Sequence, residues 1–209
     1  MKTLFTSAFL CLVVAAFAQD SKKDTVSLDY GMRIYDTRIG NFASVDPKAR
    51  PQNNPYQFSK SDTTAEEYCQ KGEELVKQMK LEDAYKMFDK AIKLNPTAKY
   101  YTKRGVAILM QGGQKEALKD FDKALNIDNK FAEAYFFKGV VYQAREERIK
   151  AIEQYSKAIE ANPNYADAYL TRGLVKGSAG DNDGACTDIK KAVDLGSEKA
   201  ITQYQQLCK

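Results

Sequence analysis

"AEAYFFKGVVYQAREERIKAIEQYSKAIEANP", Ala132 to Pro163, is the stretch whose reading decides the fold. Ile152, Tyr155 and Ile159 recur at the spacing of one helix face. Gly139, Ala151 and Ala158 are small, and small side chains let two helix backbones approach closely. Tyr135 precedes the glycine by one helical turn and supplies bulk beside that contact. Pro163 follows the second half, where it stops a helix it cannot continue. The stretch predicts two helices, about 132–145 and 148–160, joined by a short turn.

Outward from this stretch the pattern repeats. Gly72, Gly105, Gly139 and Gly173 are 33, 34 and 34 residues apart. Ala84, Ala117, Ala151 and Ala185 keep those intervals, as do Ala91, Ala124, Ala158 and Ala192. Tyr68, Tyr101, Tyr135 and Tyr169 each stand four residues before a glycine. Phe88, Phe121, Tyr155 and Ile189 fall between the two alanine columns. Pro96 and Pro163 close the first and third units, with Asn129 and Ser197 in the equivalent slots. Four helix pairs are predicted: 65–78 with 81–94, 98–111 with 114–126, 132–145 with 148–160, and 166–178 with 182–194. A last amphipathic helix, about Ser197 to Leu207, is expected to turn Ala200, Ile201, Tyr204 and Leu207 onto the end of the stack, since a stack needs a cap.

These columns resemble the tetratricopeptide repeat, a helix–turn–helix unit of about 34 residues. The resemblance covers residues 65–197 and implies an all-α, right-handed solenoid of four units, 65–97, 98–131, 132–165 and 166–197, with a capping helix over 198–209. The basic residue before each glycine (Lys71, Arg104, Lys138, Arg172) stands where the family usually has leucine. The resemblance also implies that first helices line a concave groove for peptides or protein segments. The groove positions would be Glu66, Cys69 and Glu73, then Lys99, Thr102 and Val106, then Glu133, Phe136 and Val140, then Asp167, Leu170 and Leu174. On this reading Val106, Phe136, Val140, Leu170 and Leu174 form an apolar strip, with four acids toward the rim. The ligand expected is a mildly apolar segment with some basic residues; packing of the strip on the N-terminal segment is the alternative. The lysine–asparagine carboxylate clamp of chaperone-binding members is unmatched, because Cys69 and Glu73 occupy its places.

The glycine-rich stretch "TRGLVKGSAGDNDGACTD", Thr171 to Asp188, invites a metal or phosphate reading. Neither survives counting. With Gly184 as the turning glycine of a Ca²⁺ loop, Ala179 takes the first ligand place and Lys190 that of the bidentate glutamate. No glycine-lysine-serine/threonine follows for a phosphate loop. The stretch reads as a joint between helices, with Asp181 or Asn182 as a cap.

Residues 1–18 read as a signal peptide: Lys2, an apolar run over 4–16, and Ala16-Phe17-Ala18 before Gln19. The expected location is therefore periplasmic or extracellular, with no membrane span after cleavage. Residues 19–64 lack a helix period and are expected to form a largely irregular extension. Within it, residues 29–59 resemble the end of the RHS-repeat-associated core, through Tyr30-Gly31, Arg33, Tyr35-Asp36, Arg38, Gly40-Asn41-Phe42, Ser44, Asp46-Pro47 and Asn54-Pro55-Tyr56. The long shell-building part of that family is absent, so encapsulation and self-cleavage are not carried over. Physically, "MRIYDTRIGNFASVD" predicts two short strands with a turn near Asp36 to Gly40.

Composition narrows the chemistry. The 209-residue chain has no histidine, which removes histidine-based triads and histidine zinc sites. Loss of Lys2 takes the net charge from +4 to +3, with lysines and glutamates interleaved, too balanced for a nucleic-acid footprint. Cys69, Cys186 and Cys208 form no C-x-x-C pair, so no metal site is expected. A helix pair hinged near Gly196 would bring Cys186 and Cys208 level, which predicts a disulfide, two buried thiols being the alternative. Cys69 is left as a free thiol or a partner in an intermolecular bridge. The function expected is an exported interaction module, not an enzyme, that binds a protein or peptide segment without cofactor or small-molecule substrate. The alternative is a surface-assembly protein whose RHS-like segment docks to a partner while the repeats act as spacer.

Overall fold

The computed structural model describes residues 33–36, 41–44 and 64–208. The chain divides into two units, residues 20–63 and the remainder, whose described part, 64–208, is helical. In the first, β1 (Arg33–Asp36) pairs antiparallel with β2 (Asn41–Ser44), Arg33 opposite Ser44 and Asp36 opposite Asn41. These are the two strands expected from the sequence; the turn between them, the remainder of the RHS-like segment and the expected signal peptide lie outside the described residues.

The helical unit holds four αα-hairpins and one further helix among the described residues. They are α1 (Ala65–Lys77) with α2 (Leu81–Leu94), α3 (Ala98–Met110) with α4 (Gln114–Ile127), α5 (Ala132–Ala144) with α6 (Arg148–Ala161), α7 (Ala166–Ser178) with α8 (Asn182–Asp194), and α9 (Glu198–Leu207). Side-chain caps mark three of the starts, those of α1, α3 and α8. Thr64 and Glu67 form a reciprocal capping box on α1, with the Thr64 N–H 2.7 Å from Glu67 Oε2. Asp181 caps α8, its Oδ1 accepting from the Gly184 N–H at 2.9 Å, so the glycine-rich stretch is a helix joint.

The turns inside the hairpins share one geometry. Each first helix ends in two bonds, as where Met79 N–H reaches Val76 O and Lys80 N–H reaches Leu75 O, both at 2.9 Å. This motif places one residue in the left-handed region. In the four turns that residue is Met79 (φ 59°), Gly112 (87°), Glu146 (61°) and Gly180 (90°). Two of the four therefore lack the residue type that enters this region freely.

The helix pairs meet at the glycine column. A Cβ on Gly72, Gly105 or Gly139 would lie 2.5–2.6 Å from the ring of Phe88, Phe121 or Tyr155, and each of those rings is buried. In the fourth unit, where Ile189 replaces the aromatic, a Cβ on Gly173 would still lie 2.9 Å from the Ala185 carbonyl. Both alanine columns are buried throughout. The small residues thus point into helix contacts, and the core runs between hairpins as well as within them, as where Phe121 stacks on Phe137 at 6.0 Å.

The last helix corrects one expectation. Ala200 is fully buried and Tyr204 and Cys208 pack beside it, but Ile201 and Leu207 are exposed. Residues 200, 204 and 208 form one narrow stripe that packs on α8 and beside Leu170 of α7, so residues flanking that stripe face outward.

Candidate functional site

Successive first helices touch, α1 with α3 and α3 with α5. They present equivalent positions side by side, since each unit repeats the same helix phase. Glu66 of α1 accepts from Lys99 Nζ at 2.8 Å and from Tyr100 Oη at 3.0 Å on α3. Lys103 of α3 stands between Glu73 of α1 (3.3 Å) and Glu133 of α5 (3.2 Å). The Lys99 hydrogen bond holds Glu66 below the usual carboxylate range. Burial works against the Lys103 ammonium, yet Glu133 and Glu73 outweigh it and keep it charged. The acids expected to line a rim are thus tied into a ladder by two lysines, of which the sequence reading identified only Lys99. Asp167 of α7 is half-buried.

The apolar strip is not an open surface. Val106, Phe136, Val140 and Leu170 are all buried, and Leu174 is half-buried. Cys69 and Thr102, at the places of Phe136 and Leu170 in the first two units, are buried as well. The cause is packing: Val106, Phe136 and Val140 belong to the core shared by the second and third hairpins, and Leu170 packs with Ile189, Ala192 and Ala200. Phe136 lies 5.3 Å from Phe137, 5.5 Å from Tyr155 and 5.2 Å from Tyr165, centroid to centroid. Among the twelve groove positions, the accessible side chains are therefore mainly charged: Glu66, Glu73, Lys99, Glu133 and Asp167.

A second ladder was missed at the sequence level. Arg104 holds Asp120 of its own hairpin in a fork, Nε and Nη2 each 2.8 Å from a carboxylate oxygen, and reaches Asp89 of the preceding unit with Nη1 at 2.8 Å. Arg172 does the same with Asp188 (2.8 and 2.7 Å) and Ser156 (2.9 Å). Lys138 keeps only the backward contact, to Asp122 at 2.6 Å. Asp89, Asp122 and Ser156 are one column, 33 and 34 residues apart, so each basic residue clasps the unit before it. Its leucine-like place in the helix explains why these charges are enclosed: Arg104 lies against the rings of Tyr85 and Tyr101. The signal was available as an aspartate sixteen residues after each arginine. In the third unit Gln154 takes that place, and its Oε1 is buried without a hydrogen-bond partner.

The cysteines divide by location. Cys186 and Cys208 are bridged, with Cα atoms 5.5 Å apart. Cys69 is a free thiol, fully buried, and burial with Glu73 nearby pushes it up to about 12. Its burial removes it from any intermolecular bridge in the folded protein. Among the described residues no group of three His, Cys, Asp or Glu could hold a metal, and no helix is long and apolar enough to cross a membrane.

Residues 65–97 match the family model described as tetratricopeptide repeat, and residues 150–180 one described as TPR repeat. The helical unit has the fold of a TPR solenoid, and these two stretches match TPR models. The second match spans most of α6 and all of α7, so the TPR pattern carries across a junction between units. Among solved structures, MamA is 29% identical over 66% of this chain and 81% of its own, with a TM-score of 0.56. TTC0263, a thermophilic TPR protein in Thermus thermophilus, is 21% identical over 69% and 81%, with a TM-score of 0.61. YrrB, described as a TPR protein with an unusual peptide-binding site, is 21% identical over 68% and 75%, with a TM-score of 0.55. At 21% identity the last two establish the TPR solenoid fold alone. No curated protein matches the chain.

Proposed function

We propose that the protein is an exported interaction module that binds a protein or peptide segment along the wall of α1, α3, α5 and α7, and that it catalyses no reaction. The observation that carries this reading is the charged ladder of Glu66, Lys99, Glu73, Lys103 and Glu133 on a repeat scaffold. YrrB, with the same fold, is described as having a peptide-binding site. With Asp167 the wall carries four acids against two lysines, which favours a segment with basic residues. Apolar contact contributes less than the sequence implied, because Val106, Phe136 and Leu170 are already enclosed. Export rests on the signal-like residues 1–18.

The test is an array of random twelve-residue peptides probed with residues 19–209 and with a Glu73→Lys/Glu133→Lys variant. Basic peptides are expected to bind the parent and to lose at least ten-fold in affinity against the variant, with helical circular dichroism unchanged. Equal binding by both proteins would remove the wall as the site. A second reading is favoured by the hairpin: among the described residues each strand of the β1–β2 sheet has one neighbour, which offers an outer edge for strand addition. Deleting residues 19–64 separates the two, since only strand docking is lost with them.

A further inference from the structure

We propose that the end of the solenoid is sealed by oxidation: α9 stays docked on α8 only while Cys186 and Cys208 are joined. The non-covalent hold on α9 is weak by several independent observations. Ala200 is its one fully buried residue, and its two largest aliphatic side chains, Ile201 and Leu207, are exposed. Ser197 provides no side-chain cap, so no cap offsets the small buried area of this helix. Among the described residues no ion pair ties α9 to the repeats, and the only side-chain polar contact places the Cys186 sulfur, which has no proton in the bridge, 3.7 Å from the Leu207 carbonyl. The helix has 10 residues, fewer than a helix needs to persist alone in water.

The bridge lies where it has most leverage. Cys208 is the C-terminal member of the 200–204–208 stripe and Cys186 is in the first half of α8, so the bond pins the far end of α9 while the Gly196 turn holds the near end. Closing a loop with a separation of 22 residues favours the docked state by about two orders of magnitude. Docked, α9 completes the cluster of Leu170, Ile189 and Ala192, with Tyr169, Leu174 and Val193 beside it. Undocked, the apolar end of the last hairpin is bare. The bridge forms by exchange with an oxidised dithiol carrier: one cysteine thiolate attacks the carrier disulfide, the second displaces the carrier from the mixed disulfide, and two electrons and two protons leave with the reduced carrier. The inference is independent of what the wall of first helices binds.

Amide hydrogen exchange on residues 19–209 tests it, comparing the oxidised protein, the protein reduced with dithiothreitol, and a Cys186→Ser/Cys208→Ser variant. Exchange over residues 198–207 is expected to accelerate about a hundred-fold in both unbridged forms, with α1 to α6 unchanged. Acceleration of less than ten-fold in α9 overturns the proposal. So does an equal acceleration across all helices, which makes the bridge a determinant of global stability instead.

Discussion

Replacing Arg104 with methionine tests the buried ladder where its energy is concentrated. The Asp120 side chain is 5% exposed and receives two of the three short bonds that Arg104 makes. Removing the guanidinium leaves a carboxylate enclosed with no donor, a change that costs about 3–5 kcal/mol. With a urea slope of about 2 kcal/mol per molar, the midpoint falls by about 2 M. Arg104→Met combined with Asp120→Leu removes the stranded charge along with its partner and should recover most of that loss. Asp89 does not spoil the comparison, because it is 26% exposed and retains Lys93 at 2.7 Å. The molecule contains its own control. Lys138 occupies the same place in the third unit, but its partner Asp122 is 58% exposed, so Lys138→Met should cost about 1 kcal/mol or less. Urea unfolding followed by circular dichroism measures all three. Arg104→Met costing no more than Lys138→Met would refute the reasoning, since burial would then not set the energy of this column.

Three further outcomes are expected. Gly139→Ala drives a methyl into the Tyr155 ring at 2.5 Å and should destabilise by about 2 kcal/mol despite alanine's better helix propensity, measured by the same unfolding experiment. Glu146→Gly relieves the left-handed turn at φ 61° and should stabilise by about 0.5–1 kcal/mol, whereas Gly112→Ala should do the reverse. The third is a pH profile. Glu66 and Asp89 are held below their ordinary values, chiefly by hydrogen bonds from Lys99 and Lys93, so the stability they add is present above about pH 4.5 and is lost as pH falls through their folded values. Cys69 runs the other way: its folded value is about 12 against 9.0, so stability declines above pH 9, by up to about 1.4 kcal/mol per unit, and Cys69→Ala flattens the profile between pH 9 and 10.

The sequence by itself determined the elements, because the information that sets them is local. Apolar spacing, the glycine and alanine columns and the residues at turns placed each repeat helix within about one residue of its observed ends. The Gly139–Tyr155 contact was legible for the same reason: a small residue and an aromatic recur together in every unit but the last, so their meeting is built into the period. What only the tertiary structure decided was exposure. Phe136 and Leu170 occupy the same helix phase as a groove residue would, yet each is enclosed by neighbours from the adjoining helix and the adjoining unit. Arg104 was legible only as a basic residue in a leucine place; that Asp89 and Asp120 reach it from two different helices was not. Ile201 and Leu207 followed the amphipathic pattern but flank the 200–204–208 stripe that meets the last hairpin, so the stripe that buries is narrower than the pattern that predicts it. Periodicity states which side of a helix a residue occupies; how much of that side remains open depends on the distance to chains far away in sequence, and no local pattern carries that distance.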